Sequence, residues 1–184
     1  MPVTTLDPTT ALIVVDLQAG TLRNPMAHPV DAVVAHAAAL ATAFRAKALP
    51  VVLATIDGTS GGRSDYATGG DVVWPSDLAT LAPELNQQTT DLTVTRRTWS
   101  VFAGTGLDTT LAELGVTQVV IVGLATSFGV ESSARAAFDL GFSVTLPVDA
   151  MTDPRAEAHE NSVARIFPII STTGTTADVL ALLD

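Results

Sequence analysis

The chain has no cysteine, which excludes disulfides, thiol redox chemistry and a thiolate nucleophile. Lysine is nearly absent as well: of 9 basic residues only Lys47 is a lysine. Positive charge is scarce overall, since 9 basic against 19 acidic residues give a net charge of −10. An acidic surface repels phosphate backbones, so nucleic acid is not expected as a partner. No apolar run reaches the roughly 18–20 residues that a membrane span needs. The opening Met-Pro-Val-Thr-Thr-Leu-Asp also lacks the basic and apolar regions of a secretory signal. A cytoplasmic protein with no membrane association is the resulting expectation. The three histidines, His28, His36 and His159, have no metal-ligand spacing, and no metal site is expected. Neither Gly-x-Gly-x-x-Gly opening a helix nor Gly-Lys-Ser/Thr occurs, so no cofactor is expected either.

What is present is apolar. Hydrophobic residues make up 47% of the 184, enough for one domain, 1–184, with a sizeable core. The surplus suits a subunit interface, and a homodimer or higher homo-oligomer is expected. Strands and helices alternate along the chain. Strands are predicted at Ala11–Val15, Val51–Ile56, Thr93–Arg96, Gln118–Val122, Phe142–Val148 and Ile169–Ser171. Helices are predicted at Val30–Leu49, Leu107–Leu114, Phe128–Leu140, Pro154–Ile166 and Thr175–Leu183, with Asp153 as an N-cap and Gly115 and Gly141 as C-caps. Such alternation with short links implies a parallel sheet covered by helices on both faces. In these sheets ligands sit beyond the carboxyl ends of the strands. That rule selects Asp16, Asp57, the Arg96 region, Leu124 to Gly129, and Asp149. Asp57 to Pro75 is a long, polar, glycine-rich stretch after a strand and reads as a loop over the site.

Asp16 ends an apolar strand, where a carboxylate needs a partner or a wet cleft; it is the candidate acid or base. Gln18, two residues on, is a candidate to hold a ligand or a loop. Arg96 and Arg97 are neighbours on an extended strand and point to opposite faces. Arg96 shares a face with Val94 and is the inward candidate. The turn from Gly123 into the helix near Phe128 is where a parallel sheet commonly carries a nucleophile, and it holds Gly129 instead. Ser127 does not sit in a Gly-x-Ser-x-Gly elbow. Trp74, Trp99, Phe102 and Phe128 are candidates both for a pocket and for the core.

These segments resemble the isochorismatase-like superfamily, also called cysteine hydrolases, over nearly the whole chain. The resemblance rests on Ala11-Leu-Ile-Val-Val-Asp-Leu-Gln18, Trp99-Ser-Val-Phe-Ala-Gly-Thr-Gly-Leu107, Val122 to Arg135, and Val144 to Asp153 leading to Ala158-His-Glu-Asn161. It implies a three-layer α/β/α Rossmann-like sandwich with a parallel six-stranded sheet, order 3-2-1-4-5-6. It also implies a cis peptide at Leu124–Ala125 and a substrate site that includes Leu124, Ala125 and Phe128. Members such as nicotinamidases use an Asp, a Lys and a Cys. Asp16 matches the first, Arg96 stands at the lysine position and Gly129 at the cysteine position. True isochorismatases also have glycine there and cleave a vinyl ether without a covalent intermediate.

The resemblance leaves two readings open. One is a hydrolase of a small molecule without a covalent thioester step. In it Asp16 is acid or base, Arg96 anchors substrate, and N–H groups around Ala125 and Gly129 hold an anion. The other is a catalytically impaired member that binds a small carboxylate or amide. A permanently charged Arg96 is expected to hold the Asp16 pKa down.

Overall fold

The computed structural model describes residues 3–59 and 61–183; Ser60, inside the predicted loop, lies outside them. Six parallel strands form the main sheet: β1 (Thr10–Val15), β2 (Val51–Ile56), β5 (Leu92–Arg96), β6 (Gln118–Leu124), β7 (Ser143–Pro147) and β9 (Thr172–Gly174). Their order is β5-β2-β1-β6-β7-β9, which is 3-2-1-4-5-6 when these six alone are counted. A seventh, β8 (Met151–Thr152), extends the sheet by pairing with the end of β6. Two further short strands, β3 (Gly58–Thr59) and β4 (Val72–Val73), form a separate antiparallel hairpin.

The central strands are buried along their whole length, and alternate residues serve opposite cores, as a period of two requires. Leu12, Val14, Leu53, Val120 and Val122 pack under α2 (Val30–Ala46) and α7 (Thr176–Leu183). Ala11, Ile13, Val15, Val119 and Ile121 pack under α3 (Leu107–Glu113) and α4 (Glu131–Asp139). Among the described residues no helix is long and apolar enough to cross a membrane.

Several boundaries differ from those read in the sequence. The last strand is Thr172–Gly174, not Ile169–Ser171, because Phe167–Ile170 forms a helical turn with Pro168 in its first turn. A short apolar run fits a buried helix as well as a strand, and proline is tolerated where its missing N–H has no helical partner. The helix expected from Pro154 spans Ala156–Asn161 and continues as a π-turn, Ser162–Ile166. Its N-cap is Arg155, not Asp153. The helix expected from Phe128 starts as a π-turn, Thr126–Val130, before α4. The predicted loop from Asp57 is zipped at its base: β3 pairs with β4, and Trp74 N–H donates to the Asp57 carbonyl at 2.8 Å.

Candidate active site

Asp16 follows β1 in a left-handed conformation, φ 52°, which few residues besides Asn, Asp and Gly adopt readily. Its N–H is fixed by the Ala54 carbonyl at 2.9 Å, and its carbonyl accepts the Thr21 hydroxyl. The carboxylate meets Arg96 end-on. Nη1 donates to Oδ1 at 2.6 Å and Nη2 to Oδ2 at 2.9 Å. Nη2 also donates to the Trp99 carbonyl at 3.1 Å. Asp16 is 6% exposed and Arg96 5%, so this is a buried bidentate pair. Among the described residues the buried Arg96 Nε has no hydrogen-bond partner.

Arg96 thus grips Asp16 with both of its Nη atoms. Burial also pushes the Asp16 carboxyl above its ordinary value, against the pull of the Arg96 hydrogen bonds and charge. The charge of Arg96 alone was expected to hold this pKa down, but desolvation of the buried carboxyl is the larger effect.

Gly129 lies across from this carboxylate. A Cβ built on it would stand 3.4 Å from Asp16 Oδ2, but also 2.9 Å from the Leu124 carbonyl oxygen and 2.9 Å from Val15 Cγ1. The turn has therefore closed around a residue with no side chain. Gly129→Ala should cost about 1–3 kcal/mol through overpacking, read as a lower midpoint in urea unfolding. A midpoint equal to that of the unchanged protein would show that the turn has room to spare.

The turn is pinned from both sides. Asp153, fully buried, accepts the Ser127 N–H at 2.8 Å and the Ser127 hydroxyl at 2.7 Å. On the other flank the Ser133 hydroxyl donates to the Gly129 carbonyl at 2.6 Å and accepts the Val101 N–H at 3.1 Å. The Leu124–Ala125 peptide is cis. The N–H groups of Phe128 and Val130 both donate to the Ala125 carbonyl. Asp153, Ser133 and Thr21 were missed as site-shaping residues. Asp153 stood in a motif already singled out, but its reach to Ser127 crosses from β8 to the end of β6 and has no local signal.

The other candidates divide. Trp99 and Phe128 meet edge to face, with ring centroids 5.0 Å apart, and Trp99 is 56% exposed beside the pair. Phe102 is instead a core residue, buried and stacked on Phe142 at 6.0 Å. Leu124 is buried in the core under α2, and Ala125 is partly buried against the same cluster. Gln18 is fully buried. Its Nε2 donates to the carbonyls of Ile56 and Leu78, each at 2.8 Å, and its Oε1 accepts the Ile56 N–H at 2.8 Å. Its amide thus clamps backbone rather than a ligand. Trp74 is half-buried at the end of the loop. Among the described residues no group of three or more His, Cys, Asp or Glu could hold a metal.

His159 lies behind the turn, its Nδ1 2.8 Å from the Thr126 hydroxyl and its ring 4.7 Å from that of His28. Burial first, and then His28, pushes its pKa below the ordinary value of 6.5. A histidine harder to protonate in the fold than in the unfolded chain stabilises the fold above the unfolded pKa. That contribution is lost as the pH falls below it. The melting temperature should therefore drop as the pH falls below about 6.5, and His159→Asn should flatten that slope. An unchanged slope in the variant would assign the acid sensitivity elsewhere.

Fold and site together define a doubly wound α/β domain with an acid at the end of the first strand and a pinned turn at the end of the fourth main strand. The isochorismatase domain profile matches residues 10–178, and the chain belongs to the isochorismatase family. It is 37% identical to the isochorismatase family protein YecD of Escherichia coli O157:H7, over 95% of this chain and 96% of that one. It is 36% identical to YwoC of Bacillus subtilis, over 93% and 92%. Among solved structures, an isochorismatase family protein from Burkholderia thailandensis superposes with a TM-score of 0.92 at 35% identity, over 97% of both chains.

Proposed function

We propose that this protein is a hydrolase of a small molecule that works without a covalent enzyme intermediate, with Asp16 as its acid/base. One observation carries the reading: the Asp16 carboxylate faces residue 129, and residue 129 brings no nucleophile. Water must then supply the attacking oxygen. Asp16 gives a proton to the substrate as its bond breaks and recovers one from the attacking water. Burial, which raises the carboxyl, favours the form that holds a proton. Arg96 orients the carboxylate and stabilises its charge after transfer. Relatives with 32% and 37% identity over shorter stretches bear the names nicotinamidase and ureidoacrylate amidohydrolase. Small amides therefore belong with isochorismate among the compounds to test. The protein is expected to act in the cytoplasm as a homodimer or larger homo-oligomer, without nucleic acid or membrane.

Intact-protein mass spectrometry during turnover tests the absence of a covalent step. An unmodified mass is expected throughout, and a stoichiometric acyl adduct would contradict the proposal. A second reading, a member that binds a small ligand without turning it over, draws on the bidentate hold of Arg96 on Asp16. It expects a ligand that raises the melting temperature and is recovered unchanged.

A further inference from the structure

His28, just before α2, and His159, on the helix Ala156–Asn161, meet side by side. Their rings are tilted by 59° with centroids 4.7 Å apart. Each ring is anchored through Nδ1 to a threonine hydroxyl, His28 to Thr152 at 2.9 Å and His159 to Thr126 at 2.8 Å. Thr152 of β8 is the partner of Leu124 at the end of β6, and Thr126 follows that end by two residues. Both anchors therefore lie on one floor. In an imidazole Nε2 lies on the side away from Nδ1, so both Nε2 atoms face away from that floor. A cavity of about 320 Å³ is lined by both histidines together with Pro29, Val33, Asp149 and Met151. Among the described residues neither Nε2 has a hydrogen-bond partner. The main chain at His28 is fixed as well: its N–H donates to Thr152 Oγ1 at 3.1 Å, and the Ala27 N–H donates to the Asp153 carbonyl at 2.9 Å.

We propose that His28 and His159 bind a divalent cation of the zinc class through their Nε2 atoms. Each imidazole already has the second contact that a metal-bound histidine uses: an oxygen that accepts Nδ1–H fixes the tautomer with a lone pair on Nε2. Burial and the neighbouring His28 hold His159 below its ordinary pKa, so it is neutral at pH 7, the form a metal takes. With a zinc–nitrogen length of about 2.1 Å, two imidazoles set at a tetrahedral angle have centres roughly 5 Å apart, close to the 4.7 Å observed. Among the described residues no third His, Cys, Asp or Glu joins the pair. Water therefore completes the shell, and the cation is an exchangeable effector rather than a resident cofactor. Bound there, it ties the segment before α2 to the helix Ala156–Asn161 and, through Thr126, to the turn that carries Gly129. Spacing along the chain hides such a site, because its two ligands stand far apart in sequence. Neither Asp16 nor Arg96 takes part, so the site stands apart from the hydrolase reading.

Calorimetric titration of zinc chloride into the full chain, prepared without a histidine tag, tests it. Zn²⁺ should bind one to one with a Kd of about 100 µM or tighter. Mg²⁺ should give no such binding, because it prefers oxygen donors. Zinc at about 1 mM should raise the melting temperature by about 3–6 °C. His28→Asn and His159→Asn should each weaken zinc about tenfold or more. Thr126→Val, which removes only the anchor of His159, should weaken it by about threefold to tenfold. His36→Asn should leave it unchanged. Electron paramagnetic resonance of Cu²⁺ added to the unchanged protein reads the site without any variant, and hyperfine splitting from two imidazole nitrogens is expected. No zinc heat at about 1 mM, binding that survives in the His28→Asn/His159→Asn double variant, an equal loss in His36→Asn, or a copper spectrum with fewer than two nitrogens would overturn the proposal.

Discussion

Arg96→Met is expected to destabilise the protein by about 3–5 kcal/mol, because it leaves the Asp16 carboxylate buried without its partner. For a chain of this size that is a fall of roughly 6–20 °C in melting temperature. The loss should depend on pH. Without Arg96, burial alone acts on Asp16 and raises its folded pKa further above the unfolded one. A carboxyl raised in the fold favours the folded state when protonated, so stability should fall as the pH rises through the unfolded value and on to the folded one. The Arg96→Met penalty should therefore be larger at pH 8 than at pH 5. Adding Asp16→Asn should recover much of it, since asparagine tolerates the left-handed backbone and carries no charge. Arg96→Lys keeps the charge but loses the two-pronged geometry, and should fall between. Denaturant titrations of the variants at both pH values check these expectations. A penalty below about 1 kcal/mol would mean that the pair is far better solvated than its burial implies.

Gly123→Ala is expected to cost about 4 kcal/mol or more and to reduce soluble yield. Gly123 has φ 113°, and a Cβ there would stand 2.1 Å from the Val15 carbonyl oxygen and 2.8 Å from the Val15 nitrogen. Neither atom can retreat, because Val15 and Gly123 are paired partners in the middle of the sheet. The consequence reaches the site, since Val15 precedes Asp16 and Gly123 precedes the turn that carries Gly129. Gly141 is the control. It also has a positive φ, 90°, but a Cβ there meets nothing within 4 Å, so Gly141→Ala should cost only about 1–2 kcal/mol. Similar losses at the two positions would assign the Gly123 effect to backbone strain and not to the close approach of β1.

The parallel sheet was legible because apolar runs such as Ala11–Val15 and Gln118–Val122 alternate with helical segments, whereas the order of its strands came only from the family resemblance. Asp16 was legible for a related reason: a carboxylate at the end of a buried strand demands a partner. The roles of Gln18 and Phe102 were not legible. An amide two residues after a candidate acid reads alike whether it meets a ligand or a backbone, and the Gln18 partners at Ile56 and Leu78 are 38 and 60 residues away. Phe102 stacks on Phe142 through packing of the segment before α3 against the start of β7, which no local pattern encodes. The two arginines show the same limit. Extended-chain alternation separates Arg96, the last residue of β5, from Arg97, but only the folded chain places the buried one on Asp16 and the half-buried one on Asp57.

As proposed, Asp16 carries out acid–base hydrolysis opposite a glycine that brings no nucleophile. The most direct test of this proposal compares the kcat of the unchanged protein and of Asp16→Asn on isochorismate and a set of small amides, with folding of the variant verified by melting. Turnover of at least one compound is expected, with a loss of about 100-fold or more in Asp16→Asn. A variant as fast as the unchanged protein, or no turnover of any compound at high enzyme concentration, would contradict it.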